Sequence, residues 1–136
     1  MELNIRMLQD SDWDTLVSWW DGWKEWKAPP RDMLPDNGKG GFMVENENGP
    51  IVAGFLYTTN SKTAWVEWIV SDPAYKNKDR KNAIELLIKG AENVAKRQGF
   101  KYMFSIGKNK HLIETHEKLG YHVDASPSYE IIKKIN

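Results

Sequence analysis

Leu3, Ile5 and Met7 alternate with polar residues at the start of the chain, a period of two that predicts a first strand. Ser11, with Asp14 three positions later, resembles a capping box and predicts a helix start. Trp13, Leu16, Val17 and Trp20 follow the spacing of one buried helical face, while Trp19, Trp23 and Trp26 fall on a different side. Ala28, Pro29 and Pro30 end that helix, and the stretch up to Gly41, rich in Pro, Asp, Asn and Gly, predicts a loop or short helical turn. Residues 41–45 and 51–59 read as a hairpin around a turn at 46–49, and 63–70 extends it to a three-stranded meander.

From 79 to 98 the apolar positions Ala83, Ile84, Leu87, Ile88, Ala91, Val94 and Ala95 keep helical spacing, and Gly99 supplies the stop. Residues 100–106 predict a strand parallel to the one ending at Val70, because a strand, helix, strand unit of this length makes a crossover connection. A further helix is expected over 109–119, ended by Gly120, with closing strands at 121–123 and 128–132. The pattern predicts an α/β chain with a mixed sheet, organised as one domain over 1–136.

Composition narrows the chemistry. With 136 residues, 40% of them hydrophobic and 28% charged, the chain has the make-up of one globular core. Nineteen basic residues balance nineteen acidic ones, so bulk attraction to nucleic acid or anionic lipid is not expected, and any phosphate binding must be local. The absence of cysteine excludes disulfides, thiolate metal sites and a thiol nucleophile. No stretch approaches the roughly 20 apolar residues of a membrane span, and a cytoplasmic location is the expectation.

One segment concentrates candidate chemistry. A strand ends at Ser71, Asp72 and Pro73, and is followed by Lys76, Lys78, Arg80 and Lys81 at the start of the long helix. Free amides and the aligned dipoles of a helix N-terminus attract anions, so a phosphate-bearing ligand is the first expectation here.

The order of elements, with Glu117-Lys118-Leu119-Gly120-Tyr121, Asn109 and Asp72-Pro73-Ala74-Tyr75, resembles the GNAT superfamily of N-acetyltransferases. The resemblance covers nearly the whole chain and is specific over 65–121. It implies a mostly antiparallel central sheet with a parallel pair of fourth and fifth strands, flanked by helices, and acetyl-coenzyme A as cosubstrate without a metal. The pyrophosphate loop of the family maps onto Lys76, Asn77, Lys78, Asp79, Arg80, Lys81 and Asn82. Asp79 and Lys81 stand where the family has glycines, whose bare backbone lets phosphate approach closely. By the same resemblance, backbone amides at Ile69, Val70 and Ser71 bind the thioester and pantetheine, and Asn109 opens the helix on the far side of the cofactor.

Amine acetylation needs a free lone pair, so a carboxylate must take the ammonium proton. Glu67, between Val66 and Trp68, is the acidic residue of an otherwise apolar strand, where desolvation raises a carboxyl pKa. A salt-bridged or edge-facing glutamate is the plainer use of that position. His116 occupies the place of the family's tyrosine, which protonates the departing thiolate; imidazolium can supply a proton near neutral pH, though an exposed helical histidine is the alternative. Because the family builds its acceptor pocket from the first helix and the loop after it, Trp19, Trp23 and Trp26 are expected to wall an amine site or to bury a contact with a second copy of the chain. The expected activity is transfer of acetyl from acetyl-coenzyme A to a primary amine in a ternary complex. A non-catalytic module that binds an acyl-coenzyme A or a protein is the competing reading.

Overall fold

The computed structural model describes residues 2–24, 26–76 and 78–135. Strands β1 (Asn4–Met7), β2 (Gly41–Asn46), β3 (Gly49–Tyr57), β4 (Thr63–Ser71) and β5 (Tyr102–Ser105) form one sheet in the order β1-β2-β3-β4-β5. The first four pair antiparallel, and β4 and β5 pair parallel. Helices α1 (Trp13–Gly22), α2 (Arg80–Arg97) and α3 (Lys110–Lys118) complete the described regular structure apart from short 3₁₀ turns. This is the mixed α/β arrangement expected from the pattern of the chain.

The two sheet faces carry separate cores. Alternation in β2 and β3 sends Val44 and Val52 to one face, where they meet Ala83, Leu87 and Ala91 of α2 at four-residue spacing. Met43, Ala53 and Phe55 point the other way, onto Leu16, Trp19 and Trp20 of α1. Small residues let α2 lie close to the sheet: a Cβ on Gly90 would stand 2.4 Å from Ile5 Cδ1. Gly99, at φ 92°, turns the chain left-handed just past the end of α2, a conformation glycine reaches without strain.

Several boundaries differ from expectation for physical reasons. The α1 entry is secured by Asp12 rather than Ser11: the Asp12 carboxylate accepts the Gln9 N–H at 2.8 Å and both terminal nitrogens of Arg6 at 2.9 Å. At the other end, Trp23 is already extended (ψ 113°), so Trp23 and Trp26 lie beyond the helix rather than on a second face of it. The closing strands expected at 121–123 and 128–132 do not form; Tyr129, Ile131 and Ile132 are exposed, and no described strand pairs with the outer edge of β5. Strand propensity becomes a strand only where a partner edge is engaged, and the described tie from this segment to the sheet side is the Lys108–Glu130 ion pair at 3.4 Å.

Candidate functional site

The parallel pairing of β4 with β5 runs from Thr63↔Tyr102 to Val66↔Ser105 and stops. On the other side, Phe55 pairs with Glu67 and Ala53 with Val70, so β4 holds an extra residue against β3. That bulge sits at Trp68, whose φ of 59° is left-handed for a residue with a bulky side chain. Such a conformation costs on the order of 1–3 kcal/mol and tends to mark functional positions. It places Glu67 one residue past the last β4–β5 rung, and leaves the following backbone without a strand on the β5 side.

A cavity of about 820 Å³ opens beside this split. Ile69 and Ser71 of β4, Lys76, Lys78, Arg80 and Lys81 from the basic turn and start of α2, and Asn109, Leu112 and Thr115 around α3 all line it. Its size falls within the range of ligand sites for cofactor-sized molecules. Helix α3 is held along the cavity by Lys118 Nζ bonding Glu85 of α2 at 2.7 Å, and by the Tyr121 hydroxyl donating to Glu92 at 2.9 Å.

Within the basic turn the side chains divide their tasks. Lys76, Lys78 and Lys81 are exposed on the cavity wall. Arg80 is partly committed to the loop: it donates to the Asp72 carbonyl at 2.7 Å and to the Tyr75 carbonyl, and its guanidinium lies 5.7 Å from the Trp23 ring centroid. Asp79 precedes α2, and its carboxylate accepts the Tyr75 hydroxyl, which itself accepts Asn46 Nδ2 at 3.1 Å. The acidic side chain at a glycine position is thereby bonded to Tyr75, and Asp79 does not line the cavity. Asn82 does not line it either, and Asn77 lies outside the described residues. Val70 is buried in the α1-side core, so at that position only its backbone is open to the role expected of it. Asn109 lines the cavity while its Oδ1 caps α3, accepting from His111 and Leu112 at 2.8 and 3.2 Å.

The expected tryptophan wall separates into two parts. Trp19 is 5% exposed and belongs to the core with Leu16 and Trp20, which removes it from any acceptor surface. Trp23 donates through Nε1 to the Ser71 carbonyl at 2.8 Å, and its ring centroid is 5.7 Å from that of Trp26. Both rings line the same cavity as the lysines.

His116 is also placed differently from expectation. It is buried, its Nδ1 lies 2.9 Å from the Leu112 carbonyl, and its ring meets Tyr121 edge-on at 5.0 Å between centroids. Nε2 has no partner among the described residues, and the side chain is not part of the cavity lining. The shorter imidazole sits back in the packing, where a longer phenol would extend further.

Glu67 has surroundings that the linear sequence did not disclose. Trp65 and Glu67 share a strand face, and Trp65 Nε1 donates to Glu67 Oε1 at 2.6 Å. The Trp65 ring stacks on Phe104, its parallel-register partner, at 4.5 Å and 19°. Burial pushes the Glu67 carboxyl above the usual carboxylate range; the Trp65 hydrogen bond opposes this, Glu130 adds to it, and the Ile106 amide and Lys108 hold it down. Nearby, the Tyr57 hydroxyl donates to the Met33 carbonyl at 2.9 Å and takes a hydrogen bond from Trp68. The bulge is thus tied to the loop after α1. Two-residue periodicity along β4 was the available signal for Trp65, whereas nothing in the sequence pointed to Glu130, which approaches from a distant segment.

No protein-family profile matches the sequence, and no curated protein is significantly similar to it. Solved structures are similar in fold. The ribosomal-protein-S18-alanine N-acetyltransferase of Escherichia coli superposes with a TM-score of 0.69 at 14% identity, covering 88% of this chain and 77% of the enzyme. N-acetylglutamate synthase of Neisseria gonorrhoeae, complexed with coenzyme A and L-arginine, gives 0.72 at 14% identity over 90% of this chain; the match spans 28% of the synthase. The aminoglycoside N-acetyltransferase AAC(6')-Iy, in complex with a coenzyme A bisubstrate analogue, gives 0.67 at 15% identity over 98% of this chain and 99% of the enzyme. A five-stranded mixed sheet that splits between β4 and β5, with helices on both faces, is the fold this chain shares with the GNAT N-acetyltransferases.

Proposed function

We propose that the protein is an acetyl-coenzyme A dependent N-acetyltransferase that delivers acetyl to a primary amine by direct attack in a ternary complex. The observation that carries this reading is the end of β4–β5 pairing at Val66↔Ser105, where a bulge places Glu67 at the split and a lysine-lined cavity lies beside it. The similar structures solved with coenzyme A or its analogue support the donor assignment.

In this reading Lys76, Lys78 and Lys81, with the N-terminus of α2, hold the phosphates by charge rather than by a glycine cradle. Backbone groups of Ile69, Val70 and Ser71 meet the pantetheine and the thioester oxygen, where negative charge develops during attack. Glu67 takes the proton that frees the amine lone pair. A thiolate departs from a tetrahedral thioester adduct as its anion without an acid catalyst at hand, so the recessed position of His116 does not block the reaction. Glu67 passes the ammonium proton on to solvent, and the second proton, released from the new amide nitrogen, goes to the departing thiolate or to solvent. The acceptor approaches over the face that carries Trp65, Glu67 and Trp68.

Calorimetric titration of acetyl-coenzyme A tests the donor site. Binding is expected for the natural chain, and changing Lys76, Lys78 and Lys81 together to alanine weakens it about tenfold, at roughly 0.3–1 kcal/mol per cation. The affinity difference shrinks in high salt, because exposed charges are screened. Absence of binding, or equal affinity in the variant at low salt, rejects the assignment of the turn. Binding without acetyl transfer to any amine favours the module reading, to which the position of His116 lends weight.

A further inference from the structure

We infer that Trp65 is a positioning residue for Glu67, and that Phe104 acts through it by fixing the plane of the indole ring. The inference rests on the reading of Glu67 as the proton acceptor. A glutamate has three side-chain torsions and, half-buried at a strand split, many ways to point its carboxylate. Here one oxygen is tied: Trp65 Nε1 lies 2.6 Å from Glu67 Oε1, short for a neutral donor and consistent with a charged acceptor. The donor is itself held, because Trp65 and Phe104 are paired residues of parallel strands and their rings stack at 4.5 Å. Phe104 is 51% exposed, so contact with Trp65, rather than burial in a core, accounts for its aromatic ring at the sheet edge.

Indole nitrogen has a proton to give and no lone pair to accept one. An oxygen occupied by such a donor is the poorer place for an incoming proton, so Trp65 biases which carboxylate oxygen meets the amine. The same bond favours the ionised carboxylate, against burial and the charge of Glu130. Lys108 and the Ile106 amide act in the same sense as Trp65, and Tyr57, raised chiefly by burial, is raised further by the charge of Glu67. Trp65 thereby joins geometry to protonation state: it orients the base and keeps it available.

Nuclear magnetic resonance of the full chain tests this without reference to turnover. The Trp65 indole N–H resonance is expected to titrate with the Glu67 carboxyl carbon, at one shared midpoint. Trp65→Phe keeps a ring against Phe104 and removes the donor, so the Glu67 midpoint moves to higher pH. The low-pH limb of kcat/KM for the amine moves with it, the plateau falls roughly three- to tenfold, as for loss of one hydrogen bond, and acetyl-coenzyme A affinity stays unchanged. Phe104→Leu, which retains the donor but frees the ring, gives a smaller shift in the same direction. An indole resonance that ignores the Glu67 titration, or a Glu67 midpoint identical in Trp65→Phe and the natural chain, overturns the inference. If Trp65→Phe does not fold, the natural chain's two resonances and Phe104→Leu still decide. Absence of acetyl transfer by the natural chain is a separate failure, of Glu67 as base, and leaves the resonances to report on the hydrogen bond.

Discussion

Glu67→Gln lowers the rate of acetyl transfer by roughly 100- to 10,000-fold, the range general-base catalysis contributes, while acetyl-coenzyme A binds as before. Glutamine fills the same space and still accepts the Trp65 N–H, but it cannot take a proton. The pH dependence follows from the same group. Its carboxyl is raised, chiefly by burial, and only the ionised form acts as a base. Activity therefore rises with pH through a midpoint above the ordinary glutamate value of about 4.3. The stability consequence has the opposite sense. A carboxyl with a raised folded pKa contributes stability that is present at low pH and lost as pH rises through that pKa. Above that pKa the charged Glu67 opposes folding, so there the variant melts no lower than the natural chain. A large loss of rate without a loss of melting temperature separates a catalytic role from a packing one.

Asp12→Ala costs on the order of 2 kcal/mol in folding stability, as expected for the loss of hydrogen bonds between charged groups while Arg6 keeps Glu45 as a partner. The Asp12 side chain is 10% exposed and ties three elements together: both terminal nitrogens of Arg6 in β1 at 2.9 Å, the Gln9 N–H at the entry to α1, and, through Arg6 Nε at 3.1 Å, Glu45 of β2. The hydrogen bond from Arg6 holds the Asp12 carboxyl below its ordinary value. Its contribution is therefore present above the ordinary aspartate range and is lost as pH falls through the lowered value. In chemical denaturation the gap between natural chain and variant should be widest near neutral pH and close in acid. A gap that does not depend on pH assigns the loss to packing instead. Because α1 delivers Trp23 to the Ser71 carbonyl, acetyl-coenzyme A affinity falls along with stability.

The fold was legible in the chain wherever periodicity coincided with a terminating signal. Ala83 to Ala95 ending at Gly99 formed α2, and alternation around 46–49 formed the β2–β3 hairpin. Reading failed where contacts far apart in sequence overrode a local pattern. Trp19 has the spacing of a second helical face, yet it packs in one cluster with Leu34, Met43 and Phe55 and is core. The Tyr129 and Ile131 stretch has strand propensity but engages no sheet edge among the described residues. At the site, Glu67 stood out as an acid among apolar residues. Its tuning partners did not, because Phe104 and Glu130 reach it from β5 and the C-terminal stretch. Asp79 stands where the family has a glycine, and the tyrosine four residues earlier, Tyr75, is what engages its carboxylate. That pairing is local enough to be read in retrospect.

The most direct test of the central claim is mass spectrometry of a broad amine panel, spanning polyamines, aminoglycosides, lysine peptides and peptide N-termini, after incubation with acetyl-coenzyme A and the protein. The account predicts that at least one amine gains a single acetyl group with the natural chain, and that this product falls at least a hundredfold with Glu67→Gln. Product formed equally by both proteins, or by neither, contradicts it.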